Sequence, residues 1–392
     1  MTDTPPSALP VDSSAPKPFA NLVVVELGHS VAAPFAGQIF SELGARVIKI
    51  EKADGDDARK WGPPFWEGAS AFFQALNRNK QSVVCELRDA TQLAVLKDMI
   101  VGQADIVIQN LRPGQVDKLG LDGPGLLKLK PSLIYCNLGA FGNAGPLKDR
   151  PGYDPLMQAF GGIMSTTGEA GRPSVRVGAS IVDMGTGMWA VIGILTALHE
   201  RHASGRGTLV DVSLFETATT WTSLLAAQYL ASGQLAGRQG SGTAGIVPYK
   251  GYATLDGEIV VAAGSDALFS ALAGALGHPD WVTDPRFRDN PGRVANQLAL
   301  YTLMDAIMAT QTTAHWIACL EAVGVPCSAV NDLAQMLAHP QTSALGLVQD
   351  VPGTNMKFVG LPLSFDGQRS KPVSAPPRLG EHNALLFQGN NP

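Results

Sequence analysis

Three features are missing from this chain of 392 residues: a long uninterrupted hydrophobic run, an excess of positive charge and spaced metal ligands. No apolar run reaches the roughly 18 residues that a membrane-spanning helix needs, and the longest, Met188 to Leu198, predicts a core helix. The formal charge of −5 offers no basic field for nucleic acid. Because the four cysteines also lack metal-ligand spacing, we expect no metal site, no membrane or nucleic-acid partner, and a reduced, cytoplasmic protein.

The dinucleotide-binding fingerprint is also missing, although strand and helix patterns alternate from Asn21 to Leu138. This alternation predicts an α/β fold with a Rossmann-like, mostly parallel sheet covered by helices on both faces. The first turn reads Gly28-His-Ser-Val-Ala-Ala-Pro34 instead of Gly-x-Gly-x-x-Gly, which argues against an ordinary NAD site. Its small residues allow close approach of a flat ring or a phosphate, or alternatively tight packing of helix on sheet.

The length of the chain predicts two or three domains. Residues 1–18, rich in Pro and Ser and without the features of a signal peptide, are expected to form a disordered tail. We expect residues 19–215 to form the first part of a large Rossmann-like domain, and residues 216–323 to form a linker helix and a smaller α+β domain with a hairpin. Residues 324–392 are expected to return to the large domain, which is then discontinuous.

One carboxylate, Asp183, lies in a distinctive setting. We interpret Val175 to Val182 as a strand that delivers Asp183 to a Met-Gly-Thr-Gly turn and then to a long apolar helix. The helix start would supply free N–H groups and partial positive charge. An acid placed there can attack an electrophile while backbone donors stabilise the oxyanion. The alternative is that Asp183 only caps the helix, as Asp often does.

Basic side chains recur in short clusters rather than over a whole surface. We place these clusters at the carboxyl ends of strands or in adjacent loops, where open α/β sheets bind ligands. Several cations around one crevice suit a ligand with several phosphates, although each alone is also typical of a solvated surface. The clusters are Ala45-Arg-Val-Ile-Lys-Ile-Glu-Lys52, Asn77-Arg-Asn-Lys80, and Asn110-Leu-Arg-Pro-Gly114 with the nearby Asp117-Lys118.

In combination, these motifs resemble those of the family III CoA-transferases, the CaiB/BaiF family, which includes formyl-CoA and carnitine CoA-transferases and the related acyl-CoA racemases. The resemblance extends from Asn21 to about Leu386. Besides the clusters above, the matching motifs are Glu26-Leu-Gly-His-Ser-Val-Ala-Ala-Pro34 (with Ala33 where glycine is more usual), Gly142-Asn-Ala-Gly-Pro146, Arg150-Pro-Gly-Tyr-Asp154, Asp183-Met-Gly-Thr-Gly-Met188, Gly205-Arg-Gly207 and Leu379-Gly-Glu-His382.

The resemblance implies an acyl-CoA:carboxylate CoA-transferase in which the acid matching Asp183 attacks the donor thioester. An aspartyl-acyl anhydride forms first and an aspartyl-CoA thioester follows; the acceptor acid then leaves as a new acyl-CoA. Coenzyme A is a substrate here, and no permanently bound cofactor is implied. A glycine-rich loop that matches Gly240-Ser-Gly-Thr-Ala-Gly245, and includes Gly242, would act as a lid that keeps water from the anhydride.

The resemblance also assigns contacts to CoA. Lys118 replaces an arginine of some relatives, so the charge is kept without a bidentate grip. Gly139 and Phe141 stand where formyl-CoA transferase has lysine and tyrosine near the thiol. The matched residues are Ser30, Val31 and Ala32 at the adenine ring, Lys52 at the nucleotide phosphates, and Lys80, Asn110, Leu111 and Lys118 at other nucleotide or pantetheine contacts.

An acyl-CoA racemase is the nearest alternative. Racemases carry a histidine before the Asp of a Gly-His-Asp motif, as the second base opposite the aspartate. Here the triplet is Gly152-Tyr153-Asp154, and because tyrosine is a poor base at neutral pH, the sequence favours a transferase. A non-catalytic CoA-binding relative would lack the aspartate, and a nicotinamide-dependent dehydrogenase would carry the missing fingerprint.

The resemblance also implies partners. Family members are homodimers whose two chains interlock, and the excursion from Glu216 to about Val323 is compatible with that arrangement. Acyl-CoA and a free carboxylic acid are the expected substrates. Succinyl-CoA is a common donor in the group, and malate, mesaconate, citramalate and itaconate are candidate acceptors, among which no residue selects.

Overall fold

The computed structural model describes residues 17–387. Most of the expected tail, residues 1–16, lies outside the described residues, whereas the Lys17 carbonyl accepts the N–H of Ala20 in a turn. The described chain forms two compact units, the first from residues 17–161, 178–221 and 340–387 and the second from residues 162–177 and 222–339. Residues 162–177 and 324–339 were expected in the large domain, but in the structure both segments belong to the second unit. Residues 216–221 were expected with the linker helix and the smaller domain, but they belong to the first unit.

The strands of the described residues, in chain order, are β1 (Val23–Leu27), β2 (Arg46–Glu51), β3 (Phe65–Trp66), β4 (Ala69–Ser70), β5 (Gln81–Val84), β6 (Ile106–Gln109), β7 (Ile134–Gly139), β8 (Leu209–Ser213), β9 (Tyr249–Ala253), β10 (Glu258–Ala262), β11 (Cys327–Ala329), β12 (Val348–Asp350) and β13 (Lys357–Val359).

The α-helices are α1 (Ala32–Glu42), α2 (Ala71–Asn77), α3 (Ala90–Gln103), α4 (Gln115–Lys118), α5 (Gly123–Leu129), α6 (Asp154–Phe160), α7 (Ile163–Thr166), α8 (Ile181–Ser204), α9 (Leu214–Trp221), α10 (Ser223–Ser232), α11 (Asp266–Ala275), α12 (Asn290–Ala295), α13 (Gln297–Met308), α14 (Thr313–Ala322), α15 (Leu333–Ala338), α16 (Pro340–Ala344) and α17 (Ala384–Phe387), with 3₁₀ turns at Asp57–Lys60 and Pro279–Val282.

A six-stranded parallel sheet of order β5-β2-β1-β6-β7-β8 is the centre of the first unit. The expected mixed α/β fold with a mostly parallel sheet is therefore confirmed. Its central strands are mostly apolar because helices cover both faces; Val24, Val25 and Val107 are all fully buried. Since the chain winds from β1 in both directions, the strand order reverses beside β1, where such folds bind ligands.

Different helices cover the two faces of this sheet. On one face, the side chains of α3 and α5 pack on Val25, Ile48 and Val107. On the other face, α1 contacts β1, β2 and β6, while α8 contacts β7 and β8 and packs along α1. Both long helices of this second layer begin near the carboxyl ends of the strands, so their first turns lie beside the ligand-binding edge.

Helix α8 is the one described helix that is long and apolar enough to cross a membrane by length and composition. It packs against α1, α9, β7 and β8 of the first unit. Val182, Ala190 and Ile194 on its inner side are fully buried. This is the arrangement of a core helix lying on its sheet, which agrees with the helix expected there.

The second unit contains the antiparallel sheet β11-β10-β9. The predicted hairpin is confirmed, since Tyr249 pairs with Ala262 and Ala253 pairs with Glu258. The pairing of a third strand, β11, with this hairpin was not predicted, because three residues between helices carry no alternating pattern. The linker helix expected from residue 216 onward is wrong in one respect: it consists of two helices, α9 and α10, which meet at Thr222.

The edge strand β5 is covered by a segment from much later in the chain. Ser82 donates its N–H to Nδ1 of His382 over 3.3 Å, and its carbonyl accepts the His382 N–H over 2.9 Å. The Val84 N–H donates to Oδ1 of Asn383 over 2.8 Å. These bonds occupy edge groups of the sheet that would otherwise be open to pairing with another strand.

Candidate active site

The carboxyl ends of the parallel strands open into a cleft of about 1170 Å³. Loops that follow β5, β2, β1, β6 and β7 line it, together with the start of α9 and Asp183 of α8. All of these residues belong to the first unit. Parallel strands present their carboxyl ends at one edge, so loops distant in sequence meet around one cleft.

The turn between β1 and α1 forms one wall of this cleft and is held by side chains from other loops. Ser30 has a left-handed backbone, with φ of 69°, although it is not glycine. Its N–H donates to Oδ1 of Asp56 over 3.1 Å. Asn110 fixes the preceding residue from both sides, since its Oδ1 accepts the His29 N–H and its Nδ2 donates to the His29 carbonyl, both over 2.9 Å. These bonds stabilise a backbone conformation that the local sequence would not hold alone.

A buried network of charges supports this turn from below. Glu26 and Lys49 are completely buried, and Lys49 Nζ lies 2.9 Å from Glu26 Oε1 and 2.9 Å from Asp56 Oδ2. The same ammonium donates to the Gly28 carbonyl over 2.7 Å. Burial disfavours the charged lysine, but Glu26 and Asp56 outweigh burial and raise the pKa of Lys49. The network therefore fixes both ends of the turn, through Gly28 and through the Asp56 that holds Ser30.

Several residues assigned to CoA by the resemblance are brought together by the cleft. Lys52 is exposed and also forms an ion pair with Asp57, with 2.6 Å between Nζ and Oδ1. The assigned residues that line the cleft are Ser30, Val31, Ala32, Lys52, Asn110, Leu111 and Gly139.

Lys80 does not line the cleft. It is buried, and its Nζ donates to Oε2 of Glu26 over 2.8 Å and to Oδ1 of Asn77 over 2.9 Å. Burial lowers the pKa of Lys80 to about 8 against the opposing effect of Glu26. The placement of the Asn77–Lys80 cluster at the ligand-binding rim is wrong, because it precedes β5 at the amino end of the strand, where Lys80 neutralises Glu26 and Arg78 pairs with Glu42.

Lys118 and Phe141 also lie outside the residues that line the cleft. The ring of Phe141 packs against Phe160 at 5.2 Å and Phe215 at 6.2 Å between centroids. Their neighbours Asp117 and Gly142 do line it. In a short loop, adjacent residues point their side chains in different directions, and a sequence motif does not show which of them faces the ligand.

Four cations that the sequence analysis did not assign to CoA line the cleft: Arg88, Arg112, Lys148 and Arg150. In the described part of the chain, none of these side chains forms an ion pair, so their charges are available to an anionic ligand. Arg112 and Arg150 stand inside motifs already singled out, which is the signal that could have found them. Arg88 follows β5 without a basic neighbour, and its sequence gives no such signal.

Asp183 lies in the first turn of α8, half-buried at the wall of the cleft. The expected strand from Val175 to Val182 and the expected turn at Met184–Gly187 are both wrong, because helix α8 begins at Ile181 and continues through the glycines. Asp183 is not the capping residue either: Ser180 holds the N-cap position. Within residues 17–387 the Asp183 carboxylate accepts no hydrogen bond and forms no ion pair.

The start of α8 is capped by a different acid, Asp154, which is the first residue of α6. Oδ2 of Asp154 accepts the N–H groups of Val182 over 2.8 Å and Asp183 over 3.1 Å. The expectation of free backbone donors at this helix start is therefore wrong. Burial and the neighbouring Asp154 charge raise the pKa of Asp183 from 3.8 to about 7, so both forms of this acid are present at neutral pH.

The glycines after Asp183 serve helix packing rather than a turn. A Cβ on Gly187 would lie 2.7 Å from the Ala32 carbonyl oxygen, and one on Gly185 would lie 2.8 Å from the Trp221 ring. Helix interiors disfavour glycine by about 1 kcal/mol, which close packing on α1 and α9 offsets. This packing holds the first turn of α8 on the cleft, where Asp183 and the β1–α1 turn both line the wall.

Among the described residues, no group of three or more His, Cys, Asp or Glu side chains is arranged to hold a metal ion. His29 lines the cleft, where its Nδ1 lies 2.9 Å from the Ser30 hydroxyl. Burial lowers the pKa of His29. A neutral imidazole at neutral pH can exchange hydrogen bonds with a ligand without adding charge.

The profile of CoA-transferase family III matches residues 19–383. The chain belongs to this family. It is an enzyme of the CoA-transferase type, and its family relatives include an acetyl-CoA:oxalate CoA-transferase of Acetobacter aceti, 35% identical over 394 residues that cover 98% of this chain and 97% of the relative. A succinyl-CoA:glutarate CoA-transferase of Mus musculus is 31% identical over 381 residues, with coverage of 96% and 87%.

The fold of this family III CoA-transferase matches a solved relative. A crystal structure of a CaiB/BaiF family protein from Brucella suis superposes with a TM-score of 0.86 at 37% identity, covering 95% of this chain and 99% of that one. The family assignment from sequence motifs is confirmed. The individual CoA contacts stay predictions, including the lid role of Gly242, which lies in the second unit where its N–H donates to the Gln239 carbonyl over 2.9 Å.

Proposed function

We propose that this enzyme moves CoA between carboxylic acids through a covalent intermediate on Asp183. The observation that carries the proposal is a half-buried carboxylate at the cleft wall that no described side chain neutralises. A structural acid at a helix start would bond to the backbone, but at this helix Asp154 already does so. Asp183 is thereby left free to act as a nucleophile.

The transfer proceeds in balanced steps. A carboxylate oxygen of Asp183 attacks the thioester carbon of the donor. The carbon–sulfur bond breaks, CoA leaves as a thiolate, and a mixed anhydride between Asp183 and the donor acid is formed. The thiolate attacks the aspartyl carbonyl of this anhydride and releases the first acid, which gives an aspartyl-CoA thioester. The acceptor carboxylate attacks the carbonyl of that thioester, which expels CoA as a thiolate and forms a second mixed anhydride. The thiolate then attacks the acceptor carbonyl of this anhydride, which gives the new acyl-CoA and restores the Asp183 carboxylate. No redox step or net proton transfer is required.

The acidity of Asp183 suits this sequence. With a pKa of about 7, the resting enzyme holds a mixture of acid and carboxylate at neutral pH. A carboxylate of higher pKa is a better nucleophile than an ordinary exposed aspartate, since basicity and nucleophilicity rise together. The same burial excludes part of the water that would hydrolyse the anhydride, and we propose that the loop containing Gly242 completes this exclusion.

We place the nucleotide of CoA along the turn at Ser30, Val31 and Ala32. The support is the left-handed, doubly anchored backbone of this turn and the cations near it. Lys52, Arg88 and Arg112 follow β2, β5 and β6, on the same side of the sheet as the turn, and can meet the phosphates. The pantetheine would then run past Asn110 and Leu111 toward Gly139 and Asp183.

We propose dicarboxylic acids as the exchanged group, with succinyl-CoA as a donor. The two family relatives named above act, by their names, on oxalate and on succinyl-CoA with glutarate. Unpaired Lys148 and Arg150 on the cleft provide positive charge for a second carboxylate. We further propose the interlocked homodimer of the family, which would cover exposed apolar side chains such as Trp189 and Ile192 of α8.

The test is to follow Asp183→Ala with succinyl-CoA and a panel of free acids, measuring CoA esters by mass. Transfer should fall by at least about three orders of magnitude, while CoA binding measured by calorimetry stays within twofold. Asp98→Ala, an exposed acid on α3 away from the cleft, is the matched control. Retention of most turnover by Asp183→Ala would refute the nucleophile.

A second measurement looks for the intermediate itself. Wild-type protein mixed with succinyl-CoA should gain the mass of a succinyl or CoA adduct on the peptide that contains Asp183, and hydroxylamine should trap it. A thermal shift with NAD and none with CoA would instead favour a dehydrogenase. Binding of CoA without any adduct or transfer would favour a non-catalytic CoA-binding protein. Racemisation without transfer would favour the racemase, although Tyr153 stands where that chemistry needs a histidine.

A further inference from the structure

The start of helix α8 has its donors occupied before any substrate arrives. The Asp154 carboxylate takes the N–H groups of Val182 and Asp183 with Oδ2, and its Oδ1 accepts Nε2 of Gln158 over 2.6 Å. The next N–H, that of Met184, donates to the Ser180 carbonyl over 3.0 Å. The partial positive charge of the helix start is therefore matched by Asp154 and not by Asp183.

Asp154 itself has no exposure to the cleft. Only 2% of its surface is accessible, and it is absent from the residues that line the cleft. It cannot touch substrate from this position. Two of its three hydrogen bonds hold the backbone N–H groups of Val182 and Asp183. Any effect that Asp154 has on the reaction must therefore act through Asp183.

We infer that Asp154 is a positioning residue of the transferase: its carboxylate caps helix α8 in place of Asp183 and leaves the Asp183 side chain directed to the donor thioester. This inference rests on the function proposed above. If Asp183 had to cap its own helix, its carboxylate would turn back to the N–H groups and would lose the freedom to attack. Two acids thus divide two tasks that one acid could not perform together.

The charge of Asp154 has a second effect. Beside burial, it is the charge that raises the pKa of Asp183. The elements packed near the start of α8 carry other titratable groups, and each of these is bonded elsewhere or, for Cys136, buried. They are Glu216 of α9, which accepts the Ser213 hydroxyl; Asp211 of β8, which accepts the Asn137 amide; Glu42 of α1, which pairs with Arg78; Tyr135 of β7, which donates to the Leu121 carbonyl; Cys136 of β7, which is buried; and His29 of the β1–α1 turn, beside Ser30.

Asp154→Asn separates these two effects. The amide oxygen can still accept both helix N–H groups, and Gln158 can turn its own amide to bond the new NH₂ group. The cap is kept and the negative charge is lost. We expect the acid limb of the pH–rate profile for transfer from succinyl-CoA to move down by about one pH unit, which is about a fivefold gain at pH 6. A residue with a merely structural role would not move this limb.

Asp154→Ala removes both the cap and the charge. We expect kcat to fall about a hundredfold, with the Kd for CoA within twofold of wild type, because Asp154 does not line the cleft. Partial recovery of kcat by the Asn variant would show that the hydrogen bonds and not only the charge are needed. Asp98→Asn is the charge-matched control and should leave the profile unmoved.

An arm without turnover keeps the inference separate from the proposed reaction. The effect of Asp183→Asn on the unfolding midpoint is measured from pH 5 to pH 8, once in the wild-type background and once with Asp154→Asn. The stabilising effect should grow with pH in both backgrounds, but by less in the Asp154→Asn background, where burial alone holds the pKa of Asp183 above 3.8. Equal pH dependence in both backgrounds, or an unmoved acid limb, overturns the inference. A clear difference without transfer of any acid would overturn the proposed function and leave the Asp154–Asp183 coupling in place.

Discussion

Beneath the β1–α1 turn, buried charges of both signs lie within hydrogen-bonding distance of each other, whereas at the start of α8 two acids lie together with no cation between them in the described structure. Lys49 lies between Glu26 and Asp56, which raise its pKa and keep it charged. Burial and the neighbouring Asp154 raise the pKa of Asp183 to about 7, which favours its uncharged form. In the Glu26–Lys49–Asp56 network, which we call the compensated wall, paired charges hold a backbone in place. In the Asp154–Asp183 pair, which we call the uncompensated wall, an unpaired charge keeps an acid reactive.

The largest expected effect comes from breaking the compensated wall. Lys49→Met leaves Glu26 and Asp56 buried with less neutralising charge, which should reduce the free energy of unfolding by about 3–5 kcal/mol. Lys357→Met, which breaks the exposed pair between Lys357 and Asp350, is the matched control and should have no measurable effect. Chemical denaturation measures both variants, and equal losses would contradict the role of the buried network.

The opposite effect is expected at the uncompensated wall. The folded pKa of Asp183, about 7, lies above the ordinary aspartate value of 3.8, so ionisation opposes folding. This cost is absent below pH 4, grows as pH rises toward 7 and is complete above it. Asp183→Asn should therefore stabilise the protein at pH 8 relative to pH 4 by about 2–4 kcal/mol, at about 1.4 kcal/mol per pKa unit. A pH-independent difference from wild type in urea denaturation would refute the assigned acidity.

The smallest effect compares two cations on the same cleft. Arg112 forms no ion pair in the described chain, while Lys52 is paired with Asp57. Arg112→Ala should weaken binding of CoA about tenfold, equal to about 1.4 kcal/mol, because it removes an available charge. Lys52→Ala should weaken it by less than about twofold, since Asp57 already offsets its charge. Calorimetry with CoA at one salt concentration decides, and a larger loss for Lys52→Ala would reverse the assignment.

The alternation of strand and helix was enough to predict the parallel sheet, because both faces of that sheet are covered and its strands read as apolar runs. Family motifs then located the loops at its carboxyl edge. The sequence did not show which way individual side chains point. Lys80 looked like a phosphate contact, but the need to neutralise the buried Glu26 draws it into the core, where its Nζ lies 2.8 Å from that carboxylate.

The start of α8 shows a second limit of local reasoning. Glycine is a poor helix former, so Gly185 and Gly187 predicted a turn. The close approach to Ala32 and Trp221, which no local pattern encodes, keeps both residues helical. Asp154 was noted only as a neighbour of Tyr153, since its bonds to Val182 and Asp183 cross nearly thirty positions of sequence.

The bonds between β5 and residues 380–383 have a consequence for how the protein is made. Ser82 and Val84 are each about 300 positions from their partners in the chain. A ribosome that adds about 5–20 residues per second needs roughly 15–60 s to synthesise the intervening residues. Throughout that interval the nascent sheet has an open border that could recruit a neighbouring chain. Chaperone capture of the emerging polypeptide should be concentrated in this window and should end when residues 380–383 leave the exit tunnel.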